Sequence, residues 1–394
     1  MDEIFLTIFF ISVLLFFLGT GIWVALSMIG VSAIGMMLFT SRPVGDAMAT
    51  TIWGTSSSWT LTALPLFVWM GEILFRTKLS ENLFKGLSPW MQKLPGGLIH
   101  VNVVGCALFA AISGSSAATV ATVGKMSIPE LRKRKYPEKI LLGSLAGSGT
   151  LGLLIPPSII LIIYGVAVQE SIAKLFIAGI IPGIMIALIF MSYVIIWSLI
   201  NKKDMPKIIE EYSFLEKIKR SKQLLPVILL ISAVIGSIYT GIATATEAAS
   251  LGVVGALILS YFQKSLNLET FKSSLLGATK TSCMIAFILA GSTFLSLAMG
   301  FTGLPRNLAL WIQNMDLSPY VLIFVLMIFY IILGMFLDGI SAVVLTMAII
   351  EPMIRQAGFD MIWFGIFLVI VVEMAQITPP VGFNLFVLQG MANK

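Results

Sequence analysis

The chain has few charged residues, two cysteines and one histidine. Of its 394 residues only 11% are charged, whereas 58% are apolar, and the mean hydropathy is +1.00. A soluble domain carries about 25% charged residues, so 25 basic and 19 acidic side chains are too few to cover the surface of a soluble protein of this size. The composition excludes a soluble enzyme, a nucleic-acid binder and a disordered chain. It indicates a polytopic membrane protein.

The same scarcity limits the chemistry. Cys106, Cys283 and His100 provide neither a disulfide framework nor a metal-ligand set. The sequence also lacks a Walker loop, an HExxH motif and a dinucleotide fingerprint. We therefore expect no enzymatic activity, no organic cofactor, no nucleic-acid partner and no ATP-driven pumping by this chain. The N-terminus has acids where a signal peptide needs basic residues, so we expect a first membrane helix that starts on the non-cytoplasmic side.

Apolar runs of about 17–25 residues predict membrane-spanning helices, and hence an all-α polytopic membrane protein. The predicted helices cover residues 4–19, 22–40, 58–76, 140–164, 172–200, 223–240, 247–263, 280–300 and 361–390. Two further apolar stretches, 97–131 and 319–357, are interrupted by the polar tips Ser113–Ser116 (the first tip) and Asp338–Ser341 (the second tip). Such tips are tolerated at membrane depth when they are buried in protein or face water. We predict two re-entrant helical hairpins, the alternative being ordinary helix pairs with surface loops.

Basic residues predict the orientation. Segments 125–139 and 201–222 are rich in lysine and arginine, so both are expected in the cytoplasm. This orientation is consistent with the predicted helices only if hairpin 97–131 enters and leaves the membrane on the cytoplasmic side. Hairpin 319–357 must then enter and leave on the opposite side. Two amphipathic segments, Glu81–Gly96 and 301–317, are expected to lie at the two membrane interfaces.

Matching positions indicate an internal repeat. Pro129 and Pro352 are 223 residues apart, as are the pairs Pro156-Pro157 and Pro379-Pro380. Each half then contains three helices, a hairpin and a proline-broken helix. Because one half is predicted to begin outside and the other inside, the repeats are inverted, which is an architecture of secondary transporters.

The predicted first repeat is 1–200, the basic linker is 201–222, and the second repeat is 223–394. Helix 172–200 should recur at about 395–423, so we expect a final helix that this sequence lacks, and we favour truncation as the reason.

The four helix breaks are the strongest functional signal. Proline removes a backbone donor and frees carbonyls in the preceding turn, and inside a membrane those carbonyls need a partner. A dehydrated cation is a suitable partner because hard cations prefer oxygen ligands. The breaks also create half-helix N-termini, which attract anions such as a substrate carboxylate. The alternative is that each proline pair is a tolerated kink.

Three acidic residues lie within or beside apolar runs. Asp338 is a functional candidate because an acid at the bilayer centre costs at least about 2.5–3.5 kcal/mol. It is expected to serve a second ion site or to hold the tip in shape, the alternative being a cap on the half-helix that begins near Gly339. Glu247 is expected to stabilise a helix N-terminus rather than to bind substrate. Glu373 matches Thr150 under the repeat shift and is expected near the second broken helix.

Five segments together resemble one known family. They are SGSSAATVATVGKMSIPEL, GTLGLLIPPSIILIIYGVA, TATEAA, GMFLDGIS and ITPPVGFNLFV. In this order, and over nearly the whole chain, they resemble the large membrane subunit of tripartite ATP-independent periplasmic (TRAP) transporters. One departure is Ala245, where the family commonly has proline.

The resemblance implies sodium-coupled uptake of an organic acid, such as sialic acid or a C4-dicarboxylate, across the bacterial inner membrane. It also implies two partners, a periplasmic substrate-binding protein and a small four-helix membrane subunit. In the implied elevator mechanism, the hairpins and broken helices slide as a block against the remaining helices.

The resemblance also implies site residues, carried over by position. The first sodium site would use Ser113, Gly114, Ser115, Gly149, Thr150 and Pro156. The second would use Gly334, Asp338, Gly339, Thr378, Pro379 and Gly382. The substrate would lie near Ser115, Ser116, Pro157, Ser341 and Asn384.

Two other functions would fit a similar sequence pattern. A stand-alone sodium/divalent-anion symporter would share the hairpins and repeats but would need no binding protein. A passive channel or an intramembrane enzyme would act without a sodium gradient.

Overall fold

A computed structural model describes residues 3–77, 79–206, 212–222, 224–305, 307, 310, 318–379 and 382–392. These described residues form α-helices and two short 3-10 helices, with no strand among them. The all-α prediction is therefore confirmed for this part of the chain.

The helices of the first half largely follow the predicted apolar runs. Their bounds are Glu3–Gly19, Val24–Phe39, Val44–Ser56, Trp59–Thr62 (3-10), Ala63–Phe75, Leu79–Met91, Ile99–Ser113, Ser116–Lys133, Glu138–Gly149, Leu151–Leu154, Ile159–Ala167 and Ile172–Ile200.

The second half follows the linker, whose described part contains Lys202–Asp204 (3-10) and Phe214–Ser221. Its helices are Leu225–Tyr239, Ala245–Phe262, Leu268–Thr302, Pro319–Gly334, Gly339–Gln356, Met361–Ala375 and Phe383–Ala392.

The prediction misses one helix and places the start of another too late. Helix Val44–Ser56 was not predicted, because its threonines, serine and glycines give no long apolar run. Helix Leu268–Thr302 begins 12 residues before the predicted start at 280. Its first turns are polar, and the start is instead marked by Asn267, whose Oδ1 accepts a hydrogen bond from Thr270 N at 2.7 Å.

Several helices are long and apolar enough to cross a membrane. Four of the described helices meet this criterion alone: Ile172–Ile200, Ala245–Phe262, Leu268–Thr302 and Gly339–Gln356. The number rises to seven if each bent helix pair counts as one span. The chain is thus a multi-pass membrane protein.

Both predicted hairpins are interrupted at their tips. In the first hairpin, Ile99–Ser113 ends at Gly114 and Ser116–Lys133 begins after Ser115. In the second, Pro319–Gly334 is followed by Gly339–Gln356, with Asp338 as the N-cap. The helix pair of each hairpin packs together.

Both predicted broken helices are interrupted at their proline pairs. In the first, the segment ending at Leu154 and helix Ile159–Ala167 meet at a 41° bend. In the second, Met361–Ala375 is separated from Phe383–Ala392 by a segment that contains Thr378 and Pro379. Pro380 and Val381 lie outside the described residues.

The hairpins and broken helices share one core. Tyr164 of the first broken helix is fully buried, and its hydroxyl donates to Met361 O of the second at 2.7 Å. Helix Leu268–Thr302 packs against this core and against Val24–Phe39 and Ala63–Phe75. Its Ser292 hydroxyl donates to Val344 O of the second hairpin at 2.5 Å.

The first amphipathic segment forms helix Leu79–Met91, which packs on the first hairpin and on the linker helix Phe214–Ser221. Trp90 Nε1 donates to Ser221 Oγ at 2.7 Å. The second amphipathic segment, 301–317, lies mostly outside the described residues.

Candidate functional site at the hairpin tips

The first tip is ordered by its own hydroxyl groups. Ser113 and Thr119 share a hydrogen bond of 2.8 Å between their hydroxyl oxygens, and Thr119 Oγ1 also lies 2.8 Å from Ser115 O. Ser115 caps the following helix by accepting from Ala118 N at 3.5 Å. Gly114 has φ of +58°, a backbone conformation that favours glycine. The sequence SGSS therefore makes a compact turn lined with oxygen atoms.

The first tip lies directly on the first helix break. Gly114 O accepts from Ile159 N at 3.3 Å. A Cβ atom built on Gly152 would lie 2.6 Å from Ser115 O, so only glycine permits this approach. Ser158 donates to Leu153 O and accepts from Leu161 N at 3.3 Å, which caps the helix that follows the break. The first tip and the first break, which carry the residues predicted for the first ion site, are thus in contact.

The remaining residues predicted for this site flank the contact. Thr150 is buried, and its hydroxyl donates to Gly147 O at 2.7 Å. Gly149 packs against Val120, one turn beyond the tip. Pro156 lies in the break, and Pro157 O faces Gly114. All donor atoms that these residues offer are hydroxyl or carbonyl oxygens, which suit a hard cation such as sodium.

The second tip is built differently. Asp338 accepts a hydrogen bond from Ser341 N at 3.1 Å through Oδ2, so the predicted alternative, a helix cap, is present in the structure. A Cβ atom built on Gly339 would lie 2.5 Å from Gln376 Nε2, which places this tip against the second broken helix. Gly334 packs equally closely on Ala375. The tip and the end of the first half of the broken helix are therefore in contact.

The second break supplies further polar groups. Thr378 donates to Met374 O at 2.7 Å, and Gly382 adopts φ of +58°. Asn384 N donates to Gln376 O at 3.2 Å across the break. The Asn384 side chain is fully buried, and neither its Oδ1 nor its Nδ2 has a hydrogen-bond partner among the described residues. A buried amide without a partner is unfavourable, so it is a candidate to bind a ligand.

Among the described residues, no hydrogen bond of Ser115, Ser116 or Ser341 joins the two tips. Instead the second broken helix connects them. Glu373 accepts from the Ser116 hydroxyl of the first tip, with distances of 2.8 and 2.9 Å to its two carboxylate oxygens. One turn later Gln376 lies against Gly339 of the second tip. The sequence placed Glu373 near this helix but did not predict its contact with Ser116.

Four helix N-termini meet in this region. Helices Ser116–Lys133, Ile159–Ala167, Gly339–Gln356 and Phe383–Ala392 all begin at a tip or a break. Their free N–H groups and dipoles favour a negatively charged ligand. No cluster of three or more His, Cys, Asp or Glu residues that could hold a metal occurs among the residues searched. The region thus combines helix N-termini with hydroxyl and carbonyl oxygens and with the carboxylates of Asp338 and Glu373.

Taken together, a multi-pass helical core with interrupted helices and buried polar breaks is typical of a membrane transporter. The sequence model "Tripartite ATP-independent periplasmic transporter, DctM component" matches residues 10–394. The chain belongs to this family. The resemblance inferred from the motifs is thereby confirmed.

Curated relatives agree with this assignment. The C4-dicarboxylate TRAP transporter large permease protein DctM of Pseudomonas aeruginosa is 34% identical over 357 residues, which is 90% of this chain and 82% of that protein. The sialic acid TRAP transporter large permease protein SiaM of Vibrio cholerae is 31% identical, over 94% of this chain and 86% of that protein.

A solved structure shares the fold. The YdaH transporter of Alcanivorax borkumensis aligns with a TM-score of 0.66 over 94% of this chain and 90% of that chain, at 11% sequence identity. This likeness supports the fold alone.

Proposed function

We propose that this chain is the large membrane subunit of a transporter that uses a sodium gradient to take up an organic acid. The observation that carries the proposal is the packing of the first tip on the first break, where Gly114 O accepts from Ile159 N and Gly152 meets Ser115 O. This packing brings hydroxyl and carbonyl oxygens together beside helix N-termini in a multi-pass membrane protein. A cation and an anion can therefore bind close to each other.

The first sodium ion would bind among Ser113, Gly114, Ser115 and the segment from Gly149 to Pro156. The second would bind among Gly334, Asp338, Gly339 and the break from Thr378 to Gly382. Asp338 retains one carboxylate oxygen beyond the one that accepts from Ser341 N. That oxygen is the charged ligand available to the second ion.

The substrate would be an organic carboxylate bound between the tips. Ser116, Ser341 and Asn384 are all buried, and Ser116 and Gly339 begin helices whose N-termini favour an anion. Relatives are named for C4-dicarboxylate, sialic acid and 2,3-diketo-L-gulonate, which share a carboxylate. Another relative is named for isethionate, a sulfonate, so we expect this site to recognise the acid group of its substrate, with a carboxylate as the proposed group.

The family's tripartite description supports two partners, a small membrane subunit and a periplasmic substrate-binding protein. One relative, the isethionate TRAP transporter permease protein DctMQ of Oleidesulfovibrio alaskensis, is matched over only 59% of its length. We place the complex in the bacterial inner membrane with the N-terminus of this chain in the periplasm. The hairpins and broken helices share one core, which supports an elevator mechanism in which they move as a block.

Thermal unfolding in sodium chloride and in potassium chloride at equal ionic strength tests this proposal. The protein should be the full-length subunit co-purified with its small membrane subunit. Sodium at about 100 times its dissociation constant should stabilise the folded state by about 2.7 kcal/mol. Asp338→Asn keeps a cap acceptor but removes the charge, so its sodium-specific stabilisation should be smaller. Equal stability in the two salts for the unmodified protein would contradict sodium coupling.

A further inference from the structure

Glu373 is an acidic side chain in an unusual position. It lies in helix Met361–Ala375, in the predicted second repeat, and only 4% of its surface is exposed. Its two carboxylate oxygens lie 2.8 and 2.9 Å from the hydroxyl oxygen of Ser116, in the predicted first repeat. A hydroxyl group has a single proton, so it can satisfy only one of these oxygens at a time.

No described basic residue forms an ion pair with Glu373. Two arginines of the hairpins pair with other acids, Arg132 with Glu138, and Arg355 with Glu351 and Glu170. A buried carboxylate without a countercharge is strongly unfavourable. The N-terminal dipole of helix Ser116–Lys133 offsets only part of that penalty. A carboxyl group in such surroundings either takes up a proton or pairs with a bound cation, and a cation site close by would favour the second state.

A suitable place for that charge adjoins Ser116. The first tip offers the Ser113 hydroxyl and the carbonyl and hydroxyl oxygens of Ser115, all of them neutral ligands. When the Ser116 hydroxyl donates its proton to Glu373, the lone pairs of its oxygen remain available to a cation. Glu373 thus fixes the orientation of Ser116 and adds negative charge beside the first tip.

We propose that Glu373 is a positioning residue of the first sodium site, supplying its negative charge and orienting Ser116 as a ligand. The inference rests on the proposed function. In this arrangement both halves of the chain contribute to the first sodium site. The tip comes from the first half, and the charge that stabilises the ion comes from the second broken helix. The same segment carries Asn384, whose backbone is bonded to Gln376 and whose side chain lacks a described partner.

Glu373→Gln tests the charge without changing the shape of the side chain. Melting temperatures of the co-purified subunits are measured over a sodium titration at constant ionic strength. The sodium concentration that gives half of the maximal stabilisation should rise at least about tenfold, which corresponds to about 1.4 kcal/mol. In potassium alone, the variant should be as stable as the unmodified protein or more stable, because an uncompensated charge has been removed. A residue with only a structural role would not produce this pair of effects.

Ser116→Ala is the second variant and keeps the test valid if Glu373→Gln does not fold. It removes the oriented ligand, so it should also raise the half-saturating sodium concentration at least about tenfold, without a gain of stability in potassium. Glu269→Gln is the matched control, because Glu269 is an exposed glutamate in the first turn of helix Leu268–Thr302. It should leave the titration unchanged.

The possible failures are distinguishable. If the unmodified protein shows no sodium-specific stabilisation, the proposed function and this inference both fail. If it does, but Glu373→Gln loses stability equally in both salts with an unchanged half-saturating concentration, only the inference is overturned. The same half-saturating concentration in Ser116→Ala and in the unmodified protein would overturn it as well.

Discussion

Gly152 determines how closely the first helix break approaches the first tip. A Cβ atom at this position would lie 2.6 Å from Ser115 O, 2.7 Å from Ser115 C and 2.7 Å from Ser116 Cα. All three are backbone atoms, so no side-chain rotation can relieve the contact. Gly152→Ala must therefore displace either the tip or the segment Leu151–Leu154.

The size of the effect follows from two opposing contributions. Forcing an extra methyl group into a packed core typically costs about 1–3 kcal/mol. Replacing glycine by alanine within a helix recovers at most about 1 kcal/mol, and less in a helix of four residues. We expect a net loss of up to about 3 kcal/mol in the free energy of unfolding. Because the displaced atoms belong to the predicted ion site, sodium-specific stabilisation should also weaken.

Gly143→Ala is the matched control within the same broken helix. Gly143 is exposed, and a Cβ atom there would have no heavy atom within 4 Å. This variant should gain up to about 1 kcal/mol from helix propensity alone. Both variants are compared with the unmodified protein by thermal unfolding in sodium and in potassium. If the two alanine variants shift stability in the same direction and keep equal responses to sodium, the close approach at Gly152 has no consequence and the reasoning is refuted.

Two further substitutions test other contacts of the core. Tyr164→Phe removes the hydrogen bond to Met361 O and should lower the free energy of unfolding by at least about 0.5–1.5 kcal/mol. Tyr239→Phe is the control, because Tyr239 is 66% exposed, and it should have little effect in the same unfolding assay. Ser292→Ala removes the hydrogen bond from helix Leu268–Thr302 to Val344 O of the second hairpin. It should change the rate of substrate uptake into proteoliposomes, while the sodium dependence of thermal stability changes little. A rate equal to that of the unmodified protein would show that this bond does not restrain the second hairpin.

The helix breaks could be predicted because their causes are local. Glycine, serine and proline at the tips and breaks interrupt helices through their own backbone preferences, whatever surrounds them. The start of Leu268–Thr302 and the helix Val44–Ser56 were missed for the converse reason. A search for apolar runs does not detect polar helical turns, which are held by caps and by packing instead.

The contacts between the two halves could not be predicted in the same way. Glu373 and Ser116 are 257 residues apart, and their hydrogen bond depends on how the second broken helix packs on the first hairpin. The repeat shift predicted that Glu373 lies near the second broken helix, but nothing in the sequence identified its partner. For Asp338 the sequence left two roles open, and the structure shows the cap while leaving an oxygen for the proposed second ion.

Arg132 and Arg355 give the strongest support for the predicted repeat. They are 223 residues apart, the same shift that relates the proline pairs. Each lies in the last turn of the second helix of its hairpin. Arg132 Nη2 lies 3.3 Å from Ala392 O, and Arg355 Nη2 lies 3.0 Å from Val168 O.

Each arginine thus donates to the end of the broken helix that belongs to the opposite half. A cation at a helix C-terminus is favourable because it complements the helix dipole and satisfies a free carbonyl group. Two corresponding contacts exchanged between the halves support the predicted inverted repeats. They attach the outer ends of both broken helices to both hairpins, while the contact of Glu373 with Ser116 joins them at the centre. A block connected at both its ends and its middle is suited to move as one unit, as the proposed elevator mechanism requires.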